Sequence, residues 1–81
     1  MVKVYLWSGL RSLTDGKEAV DIEASNIREV LDGLQNAYPE LKAPIAAGVS
    51  VAVDGKIISS DLTTSVSEES EIYLMQKLRG G

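Results

Sequence analysis

The chain has 81 residues, with 8 Lys+Arg against 12 Asp+Glu, 44% apolar residues, no His and no Cys. That length allows one small domain. The missing Cys and His exclude a disulfide framework, a thiolate nucleophile and the commonest general base and metal ligand. A net charge of −4 argues against direct contact with nucleic acid, because phosphate binding needs a basic face.

Period-two alternation comes first: Val2, Val4 and Leu6 point one way and Lys3, Tyr5 and Trp7 the other, as a strand requires. The same alternation breaks up any apolar run, so no leader is expected. No segment approaches the ~20 apolar residues of a membrane span, and the cytoplasm is the expected compartment. Gly9 and Thr14-Asp15-Gly16 read as turns, the Asp-Gly pair suiting a hairpin. Val20 and Ile22 then alternate with Asp21 and Glu23 as a second strand.

The period changes at Ile27. Ile27, Val30, Leu31, Leu34 and Tyr38 recur at three- and four-residue steps, one helical stripe. Ser25 or Asn26 caps its start, with Glu29 completing a box-like pattern, and Pro39 ends it. Gly33 inside the stripe costs about 1 kcal/mol relative to alanine. Residues 40–48 form a connection with a short helical turn, anchored by Leu41.

Val49, Val51 and Val53 form the next strand, closed by Asp54-Gly55, and these valines and Ile58 are expected to face inward. A two-residue loop there sets Val53 opposite Lys56, Ala52 opposite Ile57 and Val51 opposite Ile58. Residues 59–70 are polar and loop-like, with Leu62 as a tether, and the last strand spans Glu71 to Gln76. Ile72 and Leu74 face inward along it, and Tyr73 and Met75 outward. The pattern predicts an α+β domain over residues 1–76: a mixed four- to five-stranded sheet with one main helix packed on one face. Residues 77–81, Lys77-Leu78-Arg79-Gly80-Gly81, are left as a flexible tail.

The order of these elements, the helix end Leu34-Gln35-Asn36-Ala37-Tyr38-Pro39-Glu40-Leu41, the hairpin Val51-Ala52-Val53-Asp54-Gly55-Lys56 and the closing Gly80-Gly81 resemble one known family. These are the ubiquitin-like β-grasp sulfur carriers of the MoaD/ThiS group: the molybdopterin-synthase small subunit, the thiamine sulfur carrier and the ubiquitin-related modifiers. Two features depart from the family pattern. Glu68-Glu69-Ser70-Glu71 stands where a Gly-Asp pair is usual, and the tail is closer to the Leu-Arg-Gly-Gly end of ubiquitin than to the molybdopterin type.

The resemblance implies a carrier rather than an enzyme, with no bound cofactor and no metal. An E1-like enzyme would use ATP to adenylate the Gly81 carboxylate. A persulfide protein would then convert it to a thiocarboxylate, and a synthase making molybdopterin or thiamine, or a tRNA-modifying enzyme, would accept the sulfur. Conjugation to lysines through Gly81, or a purely non-covalent interaction domain, are the alternative readings.

The tail has its own physical logic. Gly80 and Gly81 have no Cβ, so they can enter a narrow channel and take backbone angles closed to other residues. Five extended residues reach roughly 16 Å. Arg79 offers a fork of donors to a carboxylate, and Lys77, Leu78 and Gly80 complete the segment a partner would recognise.

In the family's arrangement the first and last strands are neighbours. Tyr5, Trp7, Tyr73 and Met75 then share the face away from the helix, with Ala52 and Ile57 nearby, a candidate partner surface. The serines and threonines between residues 59 and 67 have no histidine to activate them, so no catalytic centre is expected.

Overall fold

A computed structural model describes residues 1–58 and 62–76 of the chain. Its element order is β1 (Val2–Tyr5), α1 (Ser8–Arg11), β2 (Ala19–Ile22), α2 (Ile27–Ala37), a 3₁₀ turn (Pro39–Leu41), α3 (Lys42–Ala47), β3 (Val49–Val53), β4 (Lys56–Ile58) and β5 (Glu71–Gln76). The five strands form one sheet in the order β2-β1-β5-β3-β4. β1 and β5 run parallel at its centre and every other pairing is antiparallel. A parallel pair needs a long crossover, and the chain between β1 and β5 provides it.

α2 covers one face of this sheet. Ile27, Val30 and Leu34 are fully buried on its inner stripe, against Val2, Val4, Val20, Ile22, Ile72 and Leu74 from the strands. Leu31 and Tyr38 flank the stripe half-buried. Gly33 has a reason to be there: a Cβ at this position would sit 2.5 Å from Ile22 Cγ2. The helix lies so close to β2 that no side chain fits between them.

All four donors at the start of α2 are satisfied. Ile27 N–H and Arg28 N–H donate to the carbonyls of Thr64 and Leu62 at 3.1 and 2.9 Å, and Val30 N–H donates to the Asn26 carbonyl. Glu29 N–H donates to Asn26 Oδ1 at 2.9 Å. Glu29 in turn accepts from the Ser25 amide and hydroxyl, both at 2.7 Å, so the reciprocal half of the box closes one residue earlier than usual. The polar loop thus serves as a cap for a helix end that would otherwise be left open.

The β3–β4 hairpin has the register its two-residue turn requires: Val53 opposite Lys56, Ala52 opposite Ile57, Val51 opposite Ile58. Asp54 and Gly55 both take left-handed angles, φ 50° and 87°, which match the twist of the flanking strands. Asp54 also ties this turn to β5, its Oδ1 accepting from Glu71 N–H at 2.9 Å while its own N–H donates to the Glu71 carbonyl.

Three features differ from the sequence reading. Residues 6–18 are not a tight hairpin loop. They contain α1, which buries Leu10, and a turn stabilised by fully buried Thr14, whose hydroxyl lies 3.3 Å from the carbonyls of Leu10 and Arg11. Val66 is buried in the polar loop, because its N–H donates to the Ser25 carbonyl and draws it under the start of α2. Val49, Val53 and Ile58, expected inward, are only half-buried, since α2 does not extend over the β3–β4 side of the sheet.

Candidate functional site

The face of the sheet opposite α2 has two ends of different character. Toward the start of β1 and β5 it is charged: Asp21, Lys3 and Glu71 are register partners across three strands. One pleat further along, Ala19, Tyr5, Tyr73, Ala52 and Ile57 are successive register partners across all five strands. Beyond that row lie Trp7 and Met75. Because β1 and β5 are parallel, Tyr5, Trp7, Tyr73 and Met75 all fall at the end where β5 runs on into Lys77. The apolar end of the face is the end from which the tail departs.

Within the row the Tyr5 and Tyr73 rings stack, with centroids 4.6 Å apart and planes 13° from parallel. Direct opposition on neighbouring strands brings them together, as cross-strand aromatic pairs require. Tyr73 stays 40% exposed and Ile57 68%, whereas Ala52 is buried between their strands. Partial desolvation, then the charge and hydrogen bond of Glu71 and the neighbouring Tyr5, raise the Tyr73 phenol above its ordinary value. Its hydroxyl therefore stays protonated and remains a donor at neutral pH.

Trp7 is placed differently from the other five residues. Its chain has left β1, and the indole folds back over α1 so closely that a Cβ at Gly9 would lie 2.6 Å from Nε1. It is half-buried and packs against the core. Between Trp7, Met75 and the stacked tyrosines lies a hollow of about 290 Å³, walled on its far side by Arg11 and Glu18.

Arg11 and Glu18 escaped the sequence reading. A helix of four residues is too short to show a period, and Leu10 between polar neighbours was its only trace. The structure therefore unites Tyr5, Trp7, Tyr73, Met75, Ala52 and Ile57 on one surface and adds two charged residues at its rim. The remaining predicted site residues, Lys77, Leu78, Arg79, Gly80 and Gly81, lie outside the described residues.

No acidic cluster among the described residues is placed to hold a metal ion, and no helix among them is long and apolar enough to cross a membrane. Glu29, whose carboxyl is held below its usual range by the Ser25 hydroxyl and amide, belongs to the helix cap.

A family model described as ThiS matches residues 4–81. No curated protein matches the chain by sequence. Among solved structures, a chain of the Amycolatopsis orientalis BexX/CysO complex is 20% identical, with 100% of both chains covered and a TM-score of 0.84. Small archaeal modifier protein 1 (SAMP1) from Methanosarcina acetivorans is 25% identical over 99% of this chain and 95% of its own, at 0.82. A chain from the complex of subunits 1 and 2 of the Helicobacter pylori molybdopterin-converting factor is 22% identical over 99% and 97%, at 0.73. These likenesses identify the architecture as the ubiquitin-like β-grasp.

Proposed function

The chain belongs to the ThiS family, and from that premise we propose that it is a sulfur carrier whose reacting group is the carboxyl of Gly81. The observation that supports this most is the coincidence of two things at one end of the sheet. The strand that continues into Lys77-Leu78-Arg79-Gly80-Gly81 is central, and it is flanked there by the apolar surface. In this reading the partner that grips the tail also contacts Tyr5, Trp7, Tyr73 and Met75.

A carboxylate is a poor electrophile, so the chemistry begins in that partner. The Gly81 carboxylate attacks the α-phosphorus of ATP and pyrophosphate leaves, giving an acyl-adenylate. Attack by a donor protein's persulfide displaces AMP, and a thiol then cleaves the resulting S–S bond to leave a thiocarboxylate and a disulfide. Residues 1–76 act as the handle and 77–81 as the arm that enters the site. The protein is thus a co-substrate that binds no cofactor of its own. Its partners are an E1-like adenylating enzyme, a persulfide donor and a synthase or tRNA-modifying enzyme that accepts the sulfur, all in the cytoplasm. The Amycolatopsis and Helicobacter relatives were solved as complexes, which supports a docking role.

Intact-mass measurement after incubation with ATP, the adenylating enzyme and a sulfur source tests this. The expected result is a gain equal to one oxygen replaced by one sulfur, lost when Gly81 is deleted. An unchanged mass under conditions that charge a known carrier would remove the reading.

A second reading, conjugation of Gly81 to lysines, is favoured by the Leu78-Arg79-Gly80-Gly81 end and by the 25% identity to an archaeal modifier protein. It predicts ladders on immunoblots of cell lysate that vanish with Gly81.

A further inference from the structure

The chain has no Cys and two Met, so its thioethers are the side chains that take an oxygen atom from a peroxide most readily. Folding puts the two in unlike places. Met1, ahead of β1, is 65% exposed, and its ammonium lies 3.2 Å from Glu68 Oε1. Met75, in β5 opposite Ser50 of β3, is half-buried and lines the hollow of about 290 Å³ with Tyr5, Trp7 and Tyr73.

An oxygen added to sulfur therefore has different consequences at the two positions. At Met1 it joins a surface already in water. At Met75 it places a strong acceptor and a new stereocentre in the aromatic wall of the hollow, opposite Arg11 and Glu18. A thioether suits that wall because it is flexible, apolar and polarisable, and a sulfoxide is none of these to the same degree. The hollow is open to water, so a molecule as small as hydrogen peroxide reaches its lining. Covering the oxidised residue with a partner then buries a polar oxygen without a donor, which is costly.

We propose that Met75 is a modification site: hydrogen peroxide converts its thioether to the sulfoxide, and the added oxygen lowers the affinity of the chain for its adenylating partner. The sulfur lone pair attacks one peroxide oxygen and the O–O bond breaks. The departing hydroxide takes the proton from the transferred oxygen and leaves as water. Sulfur is oxidised by two electrons and the peroxide is reduced. This rests on the carrier reading and adds to it a means by which an oxidant slows charging of the tail in a chain that has no thiol to oxidise.

The test treats the full chain with hydrogen peroxide, removes the oxidant, and follows ATP–pyrophosphate exchange by the purified E1-like adenylating enzyme of the same source. An added oxygen and an oxygen exchanged for sulfur change the mass almost equally, so the oxygen is located in tryptic pieces. Cleavage after Lys56 and Lys77 leaves Met75 in the piece 57–77, apart from Gly81, and Met1 in the piece 1–3. Met75 should take up one oxygen at a rate within about tenfold of Met1. The oxidised chain should then show a KM about fivefold higher, with kcat changed by less than about twofold. Methionine sulfoxide reductases acting on both epimers should restore the original KM. Met75→Leu, whatever its own KM, should keep that KM through the same treatment. Thermal melts check that each chain is folded.

A Met75 that stays unoxidised after Met1 has reacted completely overturns the inference. So does an unchanged KM for chains fully oxidised at Met75, with exchange still dependent on Gly81, and either result leaves the carrier reading standing. A Met75→Leu chain that loses affinity on treatment as the wild type does places the effect at another residue and overturns the inference as well. An oxidised chain without a cooperative melt overturns it too, since unfolding then accounts for the change. No exchange with the untreated chain overturns both readings.

Discussion

At Gly33 two local preferences compete. Helix propensity favours alanine there by about 1 kcal/mol, but the Cβ would meet Ile22 Cγ2 at 2.5 Å. Ile22 is buried and β-branched, so its methyl has no spare rotamer to move into. Overpacking of this kind costs about 1–3 kcal/mol. Gly33→Ala should therefore lower stability on balance, with a Tm decrease of roughly 4–8 °C per kcal/mol, and a rise in Tm would show that α2 can ride outward without loss.

Glu29 gives a residue-scale pH dependence. Its carboxylate accepts two hydrogen bonds from Ser25, so it binds a proton less readily in the folded chain than in the unfolded one. Where the unfolded state binds more protons, stability rises with pH. This contribution is therefore complete above the ordinary carboxylate value of 4.5 and is lost as pH falls through the depressed one. Urea melts from pH 7 to 3 should show a shallower acid loss for Glu29→Gln than for wild type.

The elements owe their boundaries to different kinds of physics. α2 and the β3–β4 hairpin are set by local chemistry. Asn26 caps one end of the helix and Pro39 follows the other, and Asp54-Gly55 dictates a two-residue turn and hence the register. At Gly55 nothing lies within 4 Å of an added Cβ, so the cost of substitution is purely that of φ 87°. Gly55→Ala should lose about 1–2 kcal/mol, read by chemical denaturation, with the hairpin's hydrogen-exchange protection falling first. The 62–66 segment is the opposite case. Its composition is that of a loop, but its carbonyls at Leu62 and Thr64 satisfy Arg28 and Ile27 of α2 from far away in sequence. No propensity scale registers that role, because it exists only once the chain has folded back.

On the scale of the whole molecule, the parallel pairing of β1 with β5 is the decisive arrangement. It collects residues from the two ends of the sequence into one apolar patch. Trp7 and Ile57 mark its two regimes. Trp7 packs over Gly9 and against the core, so Trp7→Ala should cost both stability and docking to the adenylating enzyme. Ile57 is 68% exposed, so Ile57→Thr should change stability by less than about 0.5 kcal/mol. If its end of the row takes part in docking, the same variant should measurably weaken binding of the full chain to that enzyme in titration calorimetry. Unaltered binding would confine the interface to the Trp7–Met75 end.

What the sequence by itself determined is everything governed by short-range rules. Strand alternation, the helical stripe, the cap, the proline stop and the register of one hairpin all follow from spacing and backbone chemistry. Only the tertiary structure decided the rest. The pairing of Tyr5 with Tyr73, the burial of Leu10 and Val66 and the necessity of Gly33 each depend on a neighbour that the chain brings close by folding. Periodicity cannot encode such contacts, since it reports how one element faces a core and not which residues it will meet there.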